Sequence, residues 1–234
     1  AVPTDAARTG RPPCQRSLHA AAVLRDSMYV FGGYDGLNRV NDFYEFDFNS
    51  GTWREIVTLN ANPNVVPRQP PGGGGATVTA TGSPPSPRDR HAAVVHGGSF
   101  YVFGGFDGTS RVSDLHGFDV DRMAWREVRP RAGGGGVDVD QVANLALGEN
   151  GNGDPIAIHG AFGGRDGGGP AMPNQNPQRP HQQQFHPPPS PRHSHAAVVH
   201  EDSLYVFGGY DGSYRSDFHE FSFATRGWRP VAAA

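Results

Sequence analysis

The sequence predicts an all-β protein made of three copies of a four-stranded unit, arranged as a partial β-propeller. The first observation is a repeat of roughly 40 residues that occurs three times, near the usual length of a propeller blade. The second is that each copy holds four short apolar or aromatic runs separated by turn residues. The third is that no stretch shows a sustained helical period, so we expect almost no helix.

The three copies share the same ordered set of residues. Each begins with Arg-x-x-His and continues, twelve residues after the His, with Phe-Gly-Gly and an aromatic-Asp-Gly. An Arg, an Asp and a Trp then follow in every copy. The third copy is one residue shorter between its Arg and its Asp. In chain order these last residues are Arg39, Asp42 and Trp53, then Arg111, Asp114 and Trp125, then Arg215, Asp217 and Trp228.

The first copy shows how the four strands of a unit arise. Residues 19–24 are small and apolar, and 28–31 form a second run that ends at a diglycine. Residues 43–48 alternate aromatic and acidic side chains, as a half-buried strand does, and 53–57 close the unit. The Phe-Gly-Gly glycines allow positive φ or a close approach of another chain segment, and the late Trp is large enough to fill the space between neighbouring sheets.

Composition excludes several functional classes. The 234 residues include 33 Gly and 21 Pro, and the net charge of -3 gives no general attraction to nucleic acid or anionic lipid. All 20 basic residues are Arg, so no lysine chemistry is available. Cys14 is the one cysteine, which excludes an internal disulfide and a cysteine-based zinc site. No apolar run is long enough to insert into a membrane.

The repeated sequence pattern resembles the kelch repeat. The residues that carry the resemblance are Arg-x-x-His followed by two small residues and Val, then Tyr-Val-Phe-Gly-Gly-Tyr-Asp-Gly, a hydrophobic third run and the trailing Trp. The resemblance covers residues 16–57, 88–128 and 192–231, and it is strongest to the leucine-zipper-like transcription regulator branch. It implies a β-propeller of kelch blades related in fold to galactose oxidase.

The segments between the repeats depart from the kelch pattern. We expect an N-terminal tail at 1–15 and two long linkers, 58–87 and 129–191, whose Gly, Pro and Gln content predicts disorder. Residues 156–167 repeat Phe-Gly-Gly-x-Asp-Gly without the expected His and Trp, as a degenerate blade or as a coincidence in a Gly-rich tract. Three blades do not close a ring, so we expect missing blades from the rest of the chain or from another chain.

The resemblance implies that one face of the propeller binds a protein partner. The loops of that face hold Arg and aromatic residues, which are common interface anchors and suit an acidic peptide. The alternative for the repeated Arg residues is structural, as bridges between neighbouring units to Asp42, Asp114 or Asp217. The candidate residues are Arg16, Ser17, Tyr34, Arg39, Arg88, Arg90, Phe106, Arg111, Arg192, Ser194, Tyr210, Tyr214 and Arg215.

No catalytic or cofactor site is predicted. We expect the repeated His19, His91 and His195 to pack or to form hydrogen bonds at the start of a strand. The His193-x-His195 pair lacks the further ligands that zinc needs. There is no phosphate-binding loop and no nucleophile elbow. The enzymatic alternative is a copper oxidase of the galactose-oxidase type, for which Cys14 would have to be linked to a tyrosine.

The sequence therefore predicts a non-enzymatic module that binds proteins. The resemblance implies a substrate-recruiting adaptor of a ubiquitin ligase or a scaffold, with cytoskeletal cross-linking as an alternative of the same class. It implies a cytoplasmic location, with association with the Golgi face, and no nucleic-acid partner.

Overall fold

The structure is a computed structural model that describes residues 10–58, 76–131 and 186–232. These residues belong to one compact unit, and their regular structure is entirely β-strand. The predicted all-β class is therefore confirmed. Most of the predicted tail, much of both linkers and the repeat-like residues 156–167 lie outside the described residues.

The first blade is a four-stranded antiparallel sheet. Its strands are β1 (Ala20–Leu24), β2 (Ser27–Tyr34), β3 (Arg39–Asp47) and β4 (Thr52–Thr58). Each strand pairs with the next one along the chain. The alternation predicted for the third strand is present, because Phe43 and Glu45 are buried while their neighbours are more exposed. The β1–β2 turn places Arg25 at a positive φ of 56°, which is the backbone geometry of a tight hairpin.

The other two repeats form blades of the same order. The strands that follow in the chain are β5 (Ala76–Gly82), β6 (Ala92–His96), β7 (Ser99–Phe106), β8 (Arg111–Asp119), β9 (Ala124–Glu127), β10 (Ala196–His200), β11 (Ser203–Tyr210), β12 (Tyr214–Ser222) and β13 (Gly227–Pro230). Strands β6–β9 make the second blade and β10–β13 the third, again with antiparallel neighbours.

Strand β5 was not predicted, because the composition of 58–87 indicates a linker without secondary structure. It runs parallel to β4 with Ile56 opposite Val78, and its last residue, Gly82, lies opposite Trp125 in β9. It thereby joins the outer edges of the first two blades into one nine-stranded sheet. The run Thr77-Val78-Thr79 is β-branched, which favours a strand, and Ala80 is fully buried.

The diglycine kinks the second strand of every blade and does not end it. In β2 the register shifts between Phe31 and Gly33, and the strand continues to Tyr34. Gly33 has a φ of 98°, and a Cβ there would lie 2.6 Å from the carbonyl oxygen of Ser17. The same register shift occurs in β7 and β11. The bulge thus turns the strand end toward the Arg-x-x-His segment of its own blade.

The hydrophobic core lies between blades. The rings of Phe31 and Phe43 in the first blade pack on Trp125 of the second, with centroids 5.5 and 5.1 Å apart. Phe103 of the second blade packs in the same way on Trp228 of the third, at 5.3 Å. The late Trp therefore fills the space between adjacent sheets, as its size predicts.

Candidate functional site

The Arg-x-x-His segments and the β2–β3 loops meet at one end of the sheets. Backbone bridges pair Ser17 with Tyr34 and Asp89 with Phe106, and a third bridge pairs His193 with Tyr210. We call this surface the loop rim. It consists of residues 16–18, 34–39, 88–90, 106–111, 192–194 and 210–215.

The first Arg of each repeat is held inside its own blade. The Arg88 guanidinium donates to both carboxylate oxygens of Asp114, at 2.6 and 2.8 Å, and to the carbonyl of Gly104 at 3.1 Å. Arg192 repeats these contacts with Asp217 and Gly208, and Arg16 repeats them with Asp42 and Gly32. Such bidentate pairs are strong and geometrically specific.

These contacts match the structural alternative for the first Arg residues. Arg88 and Arg192 are almost completely buried, with 1 % and 0 % of their surfaces exposed, so neither guanidinium is presented to a partner. The carboxylate partners are the predicted ones. The ion pairs lie within one blade, however, and do not connect neighbouring blades as the sequence suggested.

The backbone of the same segments makes the connection between blades. The N–H of Gly33 in the first blade donates to the carbonyl of Arg88 in the second, and the N–H of Arg88 donates to Val40. The N–H of Arg90 donates to Leu18. Three equivalent bonds join the second blade to the third, from Gly105 to Arg192, from Arg192 to Val112 and from Ser194 to Arg90.

The repeated histidines pack against the diglycine of the preceding blade. The ring of His91 meets the edge of Phe31 with centroids 5.4 Å apart, and that of His195 meets Phe103 at 5.3 Å. Burial, reinforced by the charge of Arg88, lowers the pKa of His91 to about 3. Burial and Arg192 lower the pKa of His195 to about 4. Both rings are therefore neutral packing elements, whereas His19 is exposed.

The loop Arg residues also lie between blades. Arg39 of the first blade pairs with the buried carboxylate of Asp89 at 3.0 Å and lies over the ring of Phe106, 4.7 Å from its centroid. Arg111 lies over the Tyr210 ring of the third blade at 4.9 Å. Within the described part of the chain, Arg111 has no carboxylate at ion-pair distance.

Arg215 is not the counterpart of Arg39 and Arg111, which corrects the sequence prediction. In the strand register Arg39 lies opposite Tyr34 and Arg111 opposite Phe106, but Tyr214 lies opposite Tyr210. The missing residue is in the β11–β12 loop, before Tyr214. Arg215 therefore occupies the position of Val40 and Val112, and its guanidinium pairs locally with Asp211 at 2.7 Å.

The aromatic candidates form a ladder with these Arg residues along the loop rim. Arg39 lies between Tyr34 and Phe106, His193 between Phe106 and Tyr210, and Tyr210 contacts Tyr214. The ladder buries one face of most of its members, but Tyr214 at its end is 92 % exposed. Ser17 and Ser194 are exposed on the rim, and Arg90 is partly exposed beside Asp89.

Two features were missed by the sequence reasoning. Asp89 is buried between Arg39 and Arg90, and nothing in the repeat marks it, since the equivalent positions hold Ser17 and His193. The third strands of the second and third blades carry Asp-x-His, with the His116 ring 2.9 Å from Asp114 and an equivalent pair between His219 and Asp217. A spacing of two residues on a strand places both side chains on one face, so this pair was detectable.

The loop tips are rigid turns. The carboxylate of Asp35 accepts the backbone N–H groups of Leu37 and Asn38, at 2.8 and 2.7 Å. Asp107 holds its own loop in the same way. These backbone hydrogen bonds lower the pKa of both carboxyl groups. The turns present Leu37, 84 % exposed, at the outermost point of the rim.

The described residues contain neither a metal-binding cluster nor a membrane-spanning helix. In the ranges that the structure describes, no three His, Cys, Asp or Glu side chains are grouped so that they could hold a metal ion. Cys14 is exposed, and its sulfur accepts from Arg16 at 3.2 Å. Among the residues that the structure describes, no helix is long and apolar enough to cross a bilayer.

Comparisons with known proteins identify related sequences. Two family models match the chain, one described as a KLHDC2/KLHL20/DRC7 kelch-repeats domain at residues 75–150 and one as a kelch motif at 15–60 and 191–233. The human leucine-zipper-like transcriptional regulator 1 is 30% identical over 94% of this chain, which spans 24% of that protein. Its Drosophila melanogaster homolog is 38% identical over 51% of the chain and 11% of its own length.

A more distant relative is kelch domain-containing protein 2 of Bos taurus, 31% identical over 52% of the chain and 30% of its own length. The chain spans about a quarter or less of the leucine-zipper-like relatives it matches, 24% of the human protein and 11% of the fly homolog.

Proposed function

Because the chain belongs to the kelch-repeat family, we propose that its loop rim binds a protein partner through a peptide segment that carries acidic side chains. The observation that carries the proposal is Arg111. Its guanidinium stacks on Tyr210 but has no carboxylate partner among the described residues. A positive charge held in place at a rim leaves room for an acidic group from outside.

The surroundings of Arg111 support an anionic ligand. Desolvation lowers the pKa of His193 on the same stretch of the rim, and the positive charges of Arg90 and Arg111 lower it further, whereas Asp89 raises it. The two guanidinium groups therefore place positive charge between the second and third blades. Leu37 and Thr109 are exposed at the loop tips of the first and second blades and add contact surface there.

The role that we propose for such binding is recruitment. A rim that captures a protein suits a substrate-recruiting adaptor of a ubiquitin ligase, with a scaffold as the second form of the same activity. The cytoplasm is the compartment in which we place this role, with the Golgi face as its membrane-proximal site. Filament cross-linking is separated from recruitment by co-sedimentation with filaments.

The test is affinity capture with the intact chain, followed by identification of bound proteins. Arg111→Gln is expected to lose partners that depend on acidic segments, and Leu37→Asp together with Thr109→Asp is expected to lose them by repulsion. The matched control is Arg122→Gln, because Arg122 is an equally charged residue, 80% exposed, at the opposite end of the second blade. Retention of every specific partner by Arg111→Gln contradicts the proposed rim.

We propose no enzymatic activity. The alternative is a copper oxidase of the galactose-oxidase type, which needs a cysteine linked to a tyrosine. Cys14 is exposed and contacts Arg16, a position that does not favour such a link. Incubation with copper followed by a search for radical absorbance and turnover tests this alternative, and a positive result overturns the proposal.

A further inference from the structure

The tripeptide Ser-Pro-Arg occurs at the same place in two repeats, at residues 86–88 and 190–192. In both copies the Ser and the Pro are exposed, and the Arg is buried. The residue before each Ser is a buried Pro, so the segment is anchored on both sides of the exposed dipeptide. The first repeat has Cys14 and Gln15 in place of the Ser and the Pro, and it therefore lacks the motif.

The hydroxyl of Ser86 is available, whereas that of Ser190 is engaged. Ser190 donates to the Asp211 carboxylate at 2.6 Å, a charge-assisted hydrogen bond that must break before the serine oxygen can react. Within the described ranges, the Ser86 hydroxyl donates to no carboxylate, and the equivalent Asp107 accepts backbone N–H groups of its own loop. Ser86 also lies in the middle blade, so it is exposed even with an adjacent blade on each side.

The backbone around Ser86 is held in an extended form. Ser86 stands between Pro85 and Pro87, and a residue before proline is restricted to extended conformations. The Pro85 carbonyl accepts from the side-chain amide of Asn41 in the first blade at 3.1 Å, and the Ser86 carbonyl accepts from Nε of Arg88 at 3.1 Å. An enzyme that binds an extended acceptor therefore meets a segment already in that shape, which lowers the ordering cost of binding.

Arg88 is placed to hold a phosphate on Ser86. One terminal nitrogen of its guanidinium donates to the Ser86 hydroxyl oxygen at 3.0 Å and to Asp114 at 2.8 Å. A phosphoryl group on that hydroxyl adds three strong acceptor oxygens and a negative charge. The N–H that meets a neutral acceptor can then meet an anionic one, and such charge-assisted bonds are about twice as strong. Arg88 is buried and also donates to Gly104, so the cation is fixed in place before a phosphate arrives.

We propose that Ser86 is a phosphorylation site, that it is modified by a protein kinase selecting serine followed by proline, and that Arg88 binds the phosphate. Pro87 suits an apolar pocket beside the acceptor, because proline has no backbone N–H to leave without a partner. In the reaction Ser86 Oγ attacks the terminal phosphorus of a nucleoside triphosphate, the bond from that phosphorus to the bridging oxygen breaks, and the nucleoside diphosphate leaves. The hydroxyl proton passes to the catalytic aspartate of the kinase. The proposal does not depend on which protein the loop rim binds.

Phosphorylation of the intact chain by a purified proline-directed serine kinase, with Mg²⁺ and ATP, tests the acceptor. Mass spectrometry of timed samples is expected to show a rate at Ser86 about tenfold above that at Ser190, because Ser190 must first leave a charged partner. Ser86→Ala should lose the fast product. The matched control is Ser83→Ala, which should keep it, since Ser83 is exposed and also precedes a proline.

Three results of this experiment overturn the proposal. They are the absence of phosphate from Ser86 in the folded chain, a rate at Ser190 equal to or above that at Ser86, and modification of Ser83 with Ser86 left free. Circular dichroism before and after the reaction verifies that the blades remain folded.

Phosphorus NMR tests the role of Arg88. A serine phosphate ordinarily takes up its last proton at about pH 6, and a guanidinium beside it favours the dianion. In the folded Ser83→Ala chain, the phosphate on Ser86 should therefore titrate at a lower pH than in the same sample unfolded in urea. The same titration in both states would show that Arg88 does not bind the phosphate, and would overturn the proposed contact.

A stability measurement tests the same contact independently. Asp114→Asn leaves Arg88 without its anionic partner, and a phosphate on Ser86 supplies a new one. Phosphorylation should therefore raise the melting temperature of the Asp114→Asn chain. The control is Asp217→Asn, which removes the equivalent partner of Arg192 in the third blade, and phosphate on Ser86 should not rescue it. An equal change in both variants, or no change in Asp114→Asn, would contradict binding of the phosphate by Arg88.

Discussion

The buried ion pair of the second blade gives the sharpest prediction about stability. Replacement of Asp114 by Asn removes the charge that neutralises Arg88, whose side chain is 1% exposed. Burial favours the neutral acid, but the hydrogen bonds from Arg88 and His116 outweigh it and hold the pKa of Asp114 below its ordinary value. The carboxylate is therefore charged at neutral pH, and its loss leaves a buried cation unpaired.

The expected loss follows from the remaining contacts of Arg88. Breaking a buried pair by removing one partner costs about 3 to 5 kcal/mol. Arg88 keeps hydrogen bonds to Ser86 and Gly104, at 3.0 to 3.1 Å, and Asp114 is 28% exposed, so water reaches the site. We therefore expect the lower end, a decrease of about 3 kcal/mol in the free energy of unfolding.

Urea unfolding followed by circular dichroism measures this difference. The control is Asp121→Asn, which removes the partner of Arg25 in a pair whose side chains are 55% and 64% exposed. That change is expected to cost far less than Asp114→Asn, because exposed pairs are weak. Equal losses in the two variants would refute the reasoning, since burial of Arg88 would then have no energetic consequence.

Further predictions concern the histidines, the diglycine and the interblade arginine. Folding lowers the pKa of His91 to about 3 and that of His195 to about 4, from 6.5. Below pH 6.5 the unfolded chain therefore binds more protons than the folded chain. The free energy of unfolding should thus fall as the pH drops from 6.5 toward 4, by up to about 1.4 kcal/mol per pH unit for each ring, and His91→Gln should halve the slope, while the same change at exposed His200 should not. Gly33→Ala adds a Cβ 2.6 Å from the Ser17 carbonyl oxygen, whereas a Cβ at Gly36, whose φ is also near 100°, meets nothing within 4 Å. Gly33→Ala should therefore cost about 2 kcal/mol more than Gly36→Ala, the scale of overpacking, and equal melting temperatures would contradict this. Arg39→Met should destabilise the chain by about 2 kcal/mol through the loss of a charge partner for buried Asp89, and restoration by Asp89→Asn in a double-mutant cycle would verify the coupling.

Much of the fold is predictable because the repeat carries it. Strands β1–β4 and the interblade Trp follow from turn residues, alternation and side-chain size. The diglycine was expected to end the second strand, and instead it introduces a bulge after which the strand continues. Strand β5 does not follow from the sequence, because Gly and Pro dominate its segment and the β-branched Thr77-Val78-Thr79 run is short. Its parallel pairing with two blades depends on neighbours that are distant in sequence.

The site was predicted less well, for physical reasons that differ between residues. The repeated Arg residues were candidates both for an interface and for an ion pair, and only burial separates these roles. The misalignment of Arg215 arose because a one-residue deletion can lie on either side of it, and the strand register places it before Tyr214. Asp89 could not be predicted as part of the site, because an acidic residue that occurs in only one of the three repeats forms no repeated pattern.

The way each blade is joined to the next has a consequence for how the gene can change. At the loop rim, the contacts that attach a blade belong to a few residues around its own Arg-x-x-His segment and to the kink of its neighbour. Strand β5 shows that a segment between two repeats can add to such a junction, because it pairs with the outer strands of both blades. An insertion between repeats that leaves both sets of contacts in place keeps the junction, so these segments can change in length more freely than the repeats themselves.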